Sequence, residues 1–164
     1  MGAGKTTIGR KLAKSSKLAF FDSDHEIEEK TGADIPWIFE IEGEDGFRKR
    51  ESMMIGELLI NEEPIVLATG GGAVLSSENR RVMKENGLVI YLSSSPEKIL
   101  KRTQNDKRRP LLQTDDRLQI IKDIIHKREP LYREIADVII ETNKLTINQA
   151  VKKIKDKLKI DENN

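Results

Sequence analysis

The chain opens MGAGKTTIGRKLAK over residues 1–14, and this stretch decides the fold. Gly-Lys-Thr-Thr running straight into a helix reads as a phosphate-binding loop. Such a loop needs glycine because backbone N–H groups must turn towards a phosphate in conformations that side chains obstruct. Gly2 and Gly4 meet that need, with Ala3 between them. Lys5 is expected to reach the β- and γ-phosphates of ATP and the Thr6 hydroxyl to ligate Mg²⁺, while Thr7 completes the ATP-binding set. Ile8 and Leu12, one turn apart, give residues 6–14 an apolar stripe. The dipole at the start of that helix adds to the anion site. A chance glycine-rich stretch is the alternative. The full pattern, GxxxxGK[ST], puts its first glycine two residues before Met1, and the strand that feeds such a loop is absent from the sequence.

Beyond the loop, short apolar runs alternate with charged helical stretches. Residues 18–21 lead to Asp22, residues 65–68 (IVLA) lead to Thr69 and three glycines, and 88–92 (LVIYL) and 138–140 (VII) complete the visible strands. Continuous apolar strands separated by helices predict a parallel sheet covered on both faces. The expected fold is α/β, doubly wound. Two segments interrupt the alternation. Helical periods over 26–30, around Trp37 and Phe39, and over 47–60 make the insert of about 25–61 too long for a simple crossover and predict a small lobe. Residues 104–116 (QNDKRRPLLQTDD) read as a surface loop of the kind that forms a lid. The tail 151–160 (VKKIKDKLKI) reads as a helix packing Val151, Ile154 and Leu158 on the sheet, with a membrane-surface helix as the alternative.

Composition narrows the function classes. With 164 residues, the chain suits a single domain. Lys and Arg number 29 against 28 Asp and Glu, a net charge of +1, so no global field grips nucleic acid. There is no cysteine, which excludes disulfides and thiolate metal sites. No run approaches the roughly 20 apolar residues of a membrane span. The expectation is a cytoplasmic monomer acting on a small molecule, without nucleic acid or membrane as partner.

Three further groups carry candidate chemistry. Asp22-Ser23-Asp24 ends the first run, where alternating strand directions aim one carboxylate at a Mg²⁺ shell and the other at a substrate hydroxyl. An Asx cap on the following helix is the competing reading. Gly70-Gly71-Gly72 allows a ligand close to backbone, or simply makes a turn. Arg48, Arg102, Arg109 and Arg128 stand out by their sequence context, although most arginines in so charged a chain face solvent.

Taken in order, GAGKTTIGRKLA (2–13), FFDSDHEIE (20–28), TGADIPWIFEIEGEDGFRKRE (31–51), ATGGGAV (68–74), KRRPLL (107–112), KREPLYREIAD (127–137) and ETN (141–143) resemble shikimate kinase, a family of the nucleoside-monophosphate-kinase-like P-loop group. The resemblance implies the three-layer α/β/α form of that group and ATP-dependent phosphorylation of the 3-hydroxyl of shikimate. It assigns Asp24 to the substrate hydroxyls as base, and Asp22 to Mg²⁺ through water. It gives Arg48 and Arg128 the substrate carboxylate, and Gly71, flanked by Gly70 and Gly72, a backbone N–H to substrate. Arg109 is assigned to the ATP phosphates, with Arg102, Asn143 and Lys144 bordering adenine. In this group the strand feeding the loop lies mid-sheet. The sequence therefore leads us to expect roughly ten residues upstream, an apolar strand ending in Gly-x, with Met1 an internal methionine. The rival readings are another small-molecule kinase such as a gluconate kinase, a poorly active truncated form, and a non-catalytic nucleotide-binding module.

Overall fold

A computed structural model describes residues 2–60, 63–104 and 116–161. Helix α1 (Lys5–Ser16) begins at the glycine-rich loop and is followed by strand β1 (Ala19–Asp22). Helices α2 (Ser23–Thr31) and α3 (Ile35–Leu59) come next, then β2 (Ile65–Ala68), a 3-10 turn at Ala73–Leu75 and α4 (Ser77–Asn86). Strand β3 (Ile90–Ser93), α5 (Pro96–Thr103), α6 (Arg117–Ile135), β4 (Val138–Glu141) and α7 (Ile147–Asp161) complete the order. Arg109 and nearly all of the expected lid lie outside the described residues.

The strands form two parallel pairs, β1 with β2 and β3 with β4. Among the described residues, β2 and β3 do not pair with each other. One apolar cluster nevertheless spans both pairs. Ile8 and Leu12 of α1 and Val151 and Ile154 of α7 meet Val138 and Ile140 of β4, with Val66, Ile90 and Leu92 packed alongside. Each buried Ile here contributes about 1.5–3 kcal/mol. On the opposite face, Ile55 of α3, Val74, Met83 of α4 and Ile135 of α6 make a second cluster. Helices therefore cover both faces, in the three-layer α/β/α arrangement. The tail helix packs Val151 and Ile154 inward, with Leu158 against the same cluster. No helix among the described residues is long and apolar enough to cross a membrane.

Parallel register lines up the ends that matter. Ala19 pairs with Ile65 and Asp22 with Ala68, so the Asp-Ser-Asp and triple-glycine segments leave the sheet side by side. Helices α2 and α3 share a core of Ile27, Ile38, Phe47 and Met54. The long helix α3 starts at Asp34, whose side chain accepts from Trp37 N at 2.9 Å, and is interrupted at Gly43, where φ is 70°. The two helical stretches expected around Trp37 and over 47–60 are thus the two sides of one break.

Candidate active site

The loop ahead of α1 is built as its residues require. Gly2 and Gly4 hold φ of 62° and 89°, in the left-handed region where a β-carbon is strained. No side chain caps α1, so the N–H groups of its first turn point outward in the manner that suits a phosphate. Thr6 Oγ1 donates to Asp22 Oδ2 at 2.6 Å. Gly2, Ala3, Gly4, Lys5, Thr6 and Thr7 line one cleft of about 760 Å³ together with Asp22, Asp24 and Arg102. Arg102 Nη1 donates to Gly2 O at 3.2 Å. The far wall is Thr142, Leu145, Thr146 and Ile147. Lys144 is exposed beside that wall, while Asn143 Oδ1 accepts from Ser95 N at 2.8 Å.

Asp22 makes the Asx cap and also holds Thr6. Its Oδ2 holds Thr6 while its Oδ1 caps α2 by accepting from Asp24 N at 3.2 Å. Asp24 sits in the first turn of α2, so the helix, not strand alternation, sets its direction; that expectation is corrected. Ser23 between them is fully buried, and its hydroxyl accepts from Gly70 N at 3.1 Å.

At Gly70 and Gly72 the triple glycine also makes room for the protein's own side chains. A β-carbon at Gly70 would lie 2.2 Å from Glu51 Oε1 and 3.0 Å from Asp24 Oδ1. At Gly72 it would meet the Arg48 guanidinium at 2.2–2.3 Å. Side chains of the protein itself occupy the space that the glycines leave. Gly71 contributes its carbonyl, which accepts from Tyr132 Oη at 2.5 Å.

Arg48 and Glu51, one turn apart on α3, form an ion pair of 2.7 Å. Arg48 also reaches Glu44 at 3.0 Å. Burial would depress the guanidinium, but Glu51 and Glu44 outweigh it and hold Arg48 charged. For Glu51, burial pushes the carboxyl above its ordinary range against the pull of Arg48; Asp24 adds to the rise and Arg128 opposes it. Arg128, expected to grip a carboxylate, is buried in α6. Burial also raises the Tyr132 phenol, with Arg128 pulling the other way. Lys5, Gly70, Gly71 and Tyr132 line a second cavity of about 90 Å³. The structure thus gathers Asp24, Arg48, Arg128 and the glycines around Glu51, next to the larger cleft.

Three residues here escaped the sequence reading: Glu51, Ser23 and Tyr132. Glu51 was legible. Phe47, Glu51, Met54 and Ile55 fall on one face of a helix of period 3.6, and all four are buried.

Thr6 and Asp22 offer adjacent oxygen donors at the cleft. That donor set fits Mg²⁺, which takes few protein ligands and fills its octahedron with water and phosphate oxygens.

Comparison with known proteins agrees with this geometry. A family model described as shikimate kinase matches residues 1–159. The shikimate kinase of Francisella tularensis subsp. novicida is 53% identical over 154 residues, 94% of this chain and 88% of the relative. A solved shikimate kinase from Acinetobacter baumannii, in complex with shikimate, is 50% identical with a TM-score of 0.95, covering 98% of this chain and 89% of that one. A crystal structure of shikimate kinase from Aquifex aeolicus is 33% identical, with a TM-score of 0.84 and coverage of 97% and 92%.

Proposed function

The chain belongs to the shikimate kinase family of ATP-using phosphotransferases, and from that premise we propose that it transfers the γ-phosphoryl group of ATP to the 3-hydroxyl of shikimate. One observation carries the reading. The phosphate loop and Asp24 share a cleft, and Asp24 approaches, beside Gly70, the Glu51 that holds Arg48. A path thus runs from phosphate donors, past a carboxylate, to guanidinium groups.

Phosphoryl transfer asks mainly for positioning and charge neutralisation around a loose transition state. The loop N–H groups and Lys5 hold the phosphates. Asp24 accepts the proton of the attacking hydroxyl and orients that oxygen. Arg48 and Arg128 grip the substrate carboxylate, for which guanidinium forks suit better than ammonium groups. Residues 25–61 act as the substrate-binding lobe. Thr6 and Asp22 would hold Mg²⁺, which would supply charge neutralisation at the phosphate oxygens. Arg102 borders the adenine. The roles of Arg109 and of a lid over 104–116 rest on the resemblance alone. The reading keeps the chain a cytoplasmic monomer.

An ADP-release assay with shikimate, gluconate and nucleoside monophosphates tests the substrate. Turnover is expected with shikimate, lost on chelation and restored by Mg²⁺. Turnover with gluconate and none with shikimate would sink the proposal.

A further inference from the structure

Glu51 is the most enclosed charged group in the described residues, at 0% exposure. Only one side of its carboxylate is satisfied. Oε2 accepts from Arg48 Nη1 at 2.7 Å, whereas Oε1 is buried without a hydrogen-bond partner among the described residues. That bare oxygen lies against Gly70, at the same β-carbon position that Asp24 Oδ1 also approaches, 2.2 Å and 3.0 Å from it respectively. A buried acceptor left unsatisfied is destabilising, the more so when it carries charge. Such an atom calls for an occupant.

The charged and titratable groups around Glu51 come from three helices. Asp24 faces it from α2, Arg48 from α3 with Glu44 behind, and Arg128 and Tyr132 from α6. The inner cluster of Arg48, Arg128, Glu51 and Asp24 is balanced, two cations against two carboxylates. A substrate carboxylate seated on Arg48 and Arg128 makes it three against two. It also draws on the cation that keeps Glu51 ionised. Desolvation penalises the most buried ion most. Asp24 is only half-buried, and Tyr132 already carries its proton.

We infer that Glu51 takes up a proton from solvent when the carboxylate of the substrate binds Arg48 and Arg128, so that substrate affinity is coupled to pH through a residue the substrate need not touch. The inference rests on the proposed carboxylate-gripping role of those arginines. The proton goes to Oε1, where the new O–H faces the Asp24 carboxylate as acceptor. Burial already raises the Glu51 carboxyl in the free protein, and a loss of support from Arg48 raises it further. The sign follows from linkage: a complex that binds more protons than its free components weakens as pH rises, by up to about tenfold in Kd per pH unit for a single proton. Below the free-protein pKa of Glu51 the dependence vanishes, because the proton is already present.

The experiment is titration calorimetry of shikimate with the full chain, near neutral pH, in buffers of small and large ionisation enthalpy. Wild type is expected to show a heat that varies with buffer, in the direction of proton uptake. In E51Q that variation disappears, and Kd becomes nearly flat with pH. A wild-type heat independent of buffer overturns the inference and leaves the kinase reading standing. Uptake that persists in E51Q overturns it too, by moving the proton elsewhere. No binding of shikimate at all sinks both. Difference infrared spectroscopy on wild type supplies an arm that does not depend on the variant. Shikimate should raise a buried carboxylic-acid C=O band, and its absence counts against the inference. A Glu51 that serves only as an anchor for Arg48 moves neither readout.

Discussion

In the loop ahead of α1, Gly2 and Gly4 hold positive φ, whereas none of the three glycines after β2 does. Space sets Gly4 apart from Gly70 and Gly72, whereas Gly2 is itself closely packed by Thr103 and Ile99. Around Gly4 a β-carbon would find its nearest neighbour, Ile8 Cδ1, at a comfortable 3.5 Å; at Gly70 and Gly72 it would strike Glu51 and Arg48 at 2.2 Å. One segment uses glycine for backbone shape, so that N–H groups can face a phosphate. The other uses it for volume, so that a buried ion pair can lie flat on the backbone. The sequence alone does not separate these uses, because glycine is the answer to both.

Asp24 lies where the two segments meet, and its variant is expected to have the largest effect. Asp24→Asn should lower kcat by about 10²–10⁴-fold, the usual worth of a general base, with ATP binding nearly unchanged. An unaltered rate would remove Asp24 from the mechanism. Next come Gly70→Ala and Gly72→Ala. The added methyl displaces Glu51 or Arg48 at a cost of about 1–3 kcal/mol, and the loss should appear as a raised KM for shikimate with the KM for ATP held. Gly4→Ala is expected to be mildest. It costs about 1–2 kcal/mol of left-handed strain, and steady-state kinetics should show it in the KM for ATP. If Gly72→Ala perturbed ATP and spared shikimate, the contrast between the two segments would collapse.

Legibility followed the same division. Strand β2 was read to the residue, because Ile-Val-Leu-Ala ends abruptly at Thr-Gly-Gly-Gly. Strand β3 begins two residues later than its apolar run suggests, since Leu88 is exposed and serves the turn. The loop and Asp22 were legible because their chemistry is local, written into spacing along the chain. Glu51 was passed over because a glutamate among Arg48, Lys49 and Arg50 looks like part of a solvated face. Its partners Gly70 and Asp24 come from other elements, and only the packing of α3 against the end of β2 brings them together. The stretches around Trp37 and over 47–60 were read as separate, but the place of the break between them was not, since the backbone angle of Gly43 marks it and the charged residues on both sides do not.

Asp22 carries a consequence for genetics as well as for chemistry. Its two oxygens tie the first turn of α1 to the first turn of α2, so one carboxylate is the joint between the part proposed to handle phosphate and the part proposed to handle the acceptor hydroxyl. Damage at Thr6 loosens a strut on which Asp24 also depends, and damage near Asp24 loosens Thr6. Contacts that share a partner do not contribute independently. A second lesion placed across this joint falls on a connection the first has already weakened, and the pair should therefore cost less than the two measured apart.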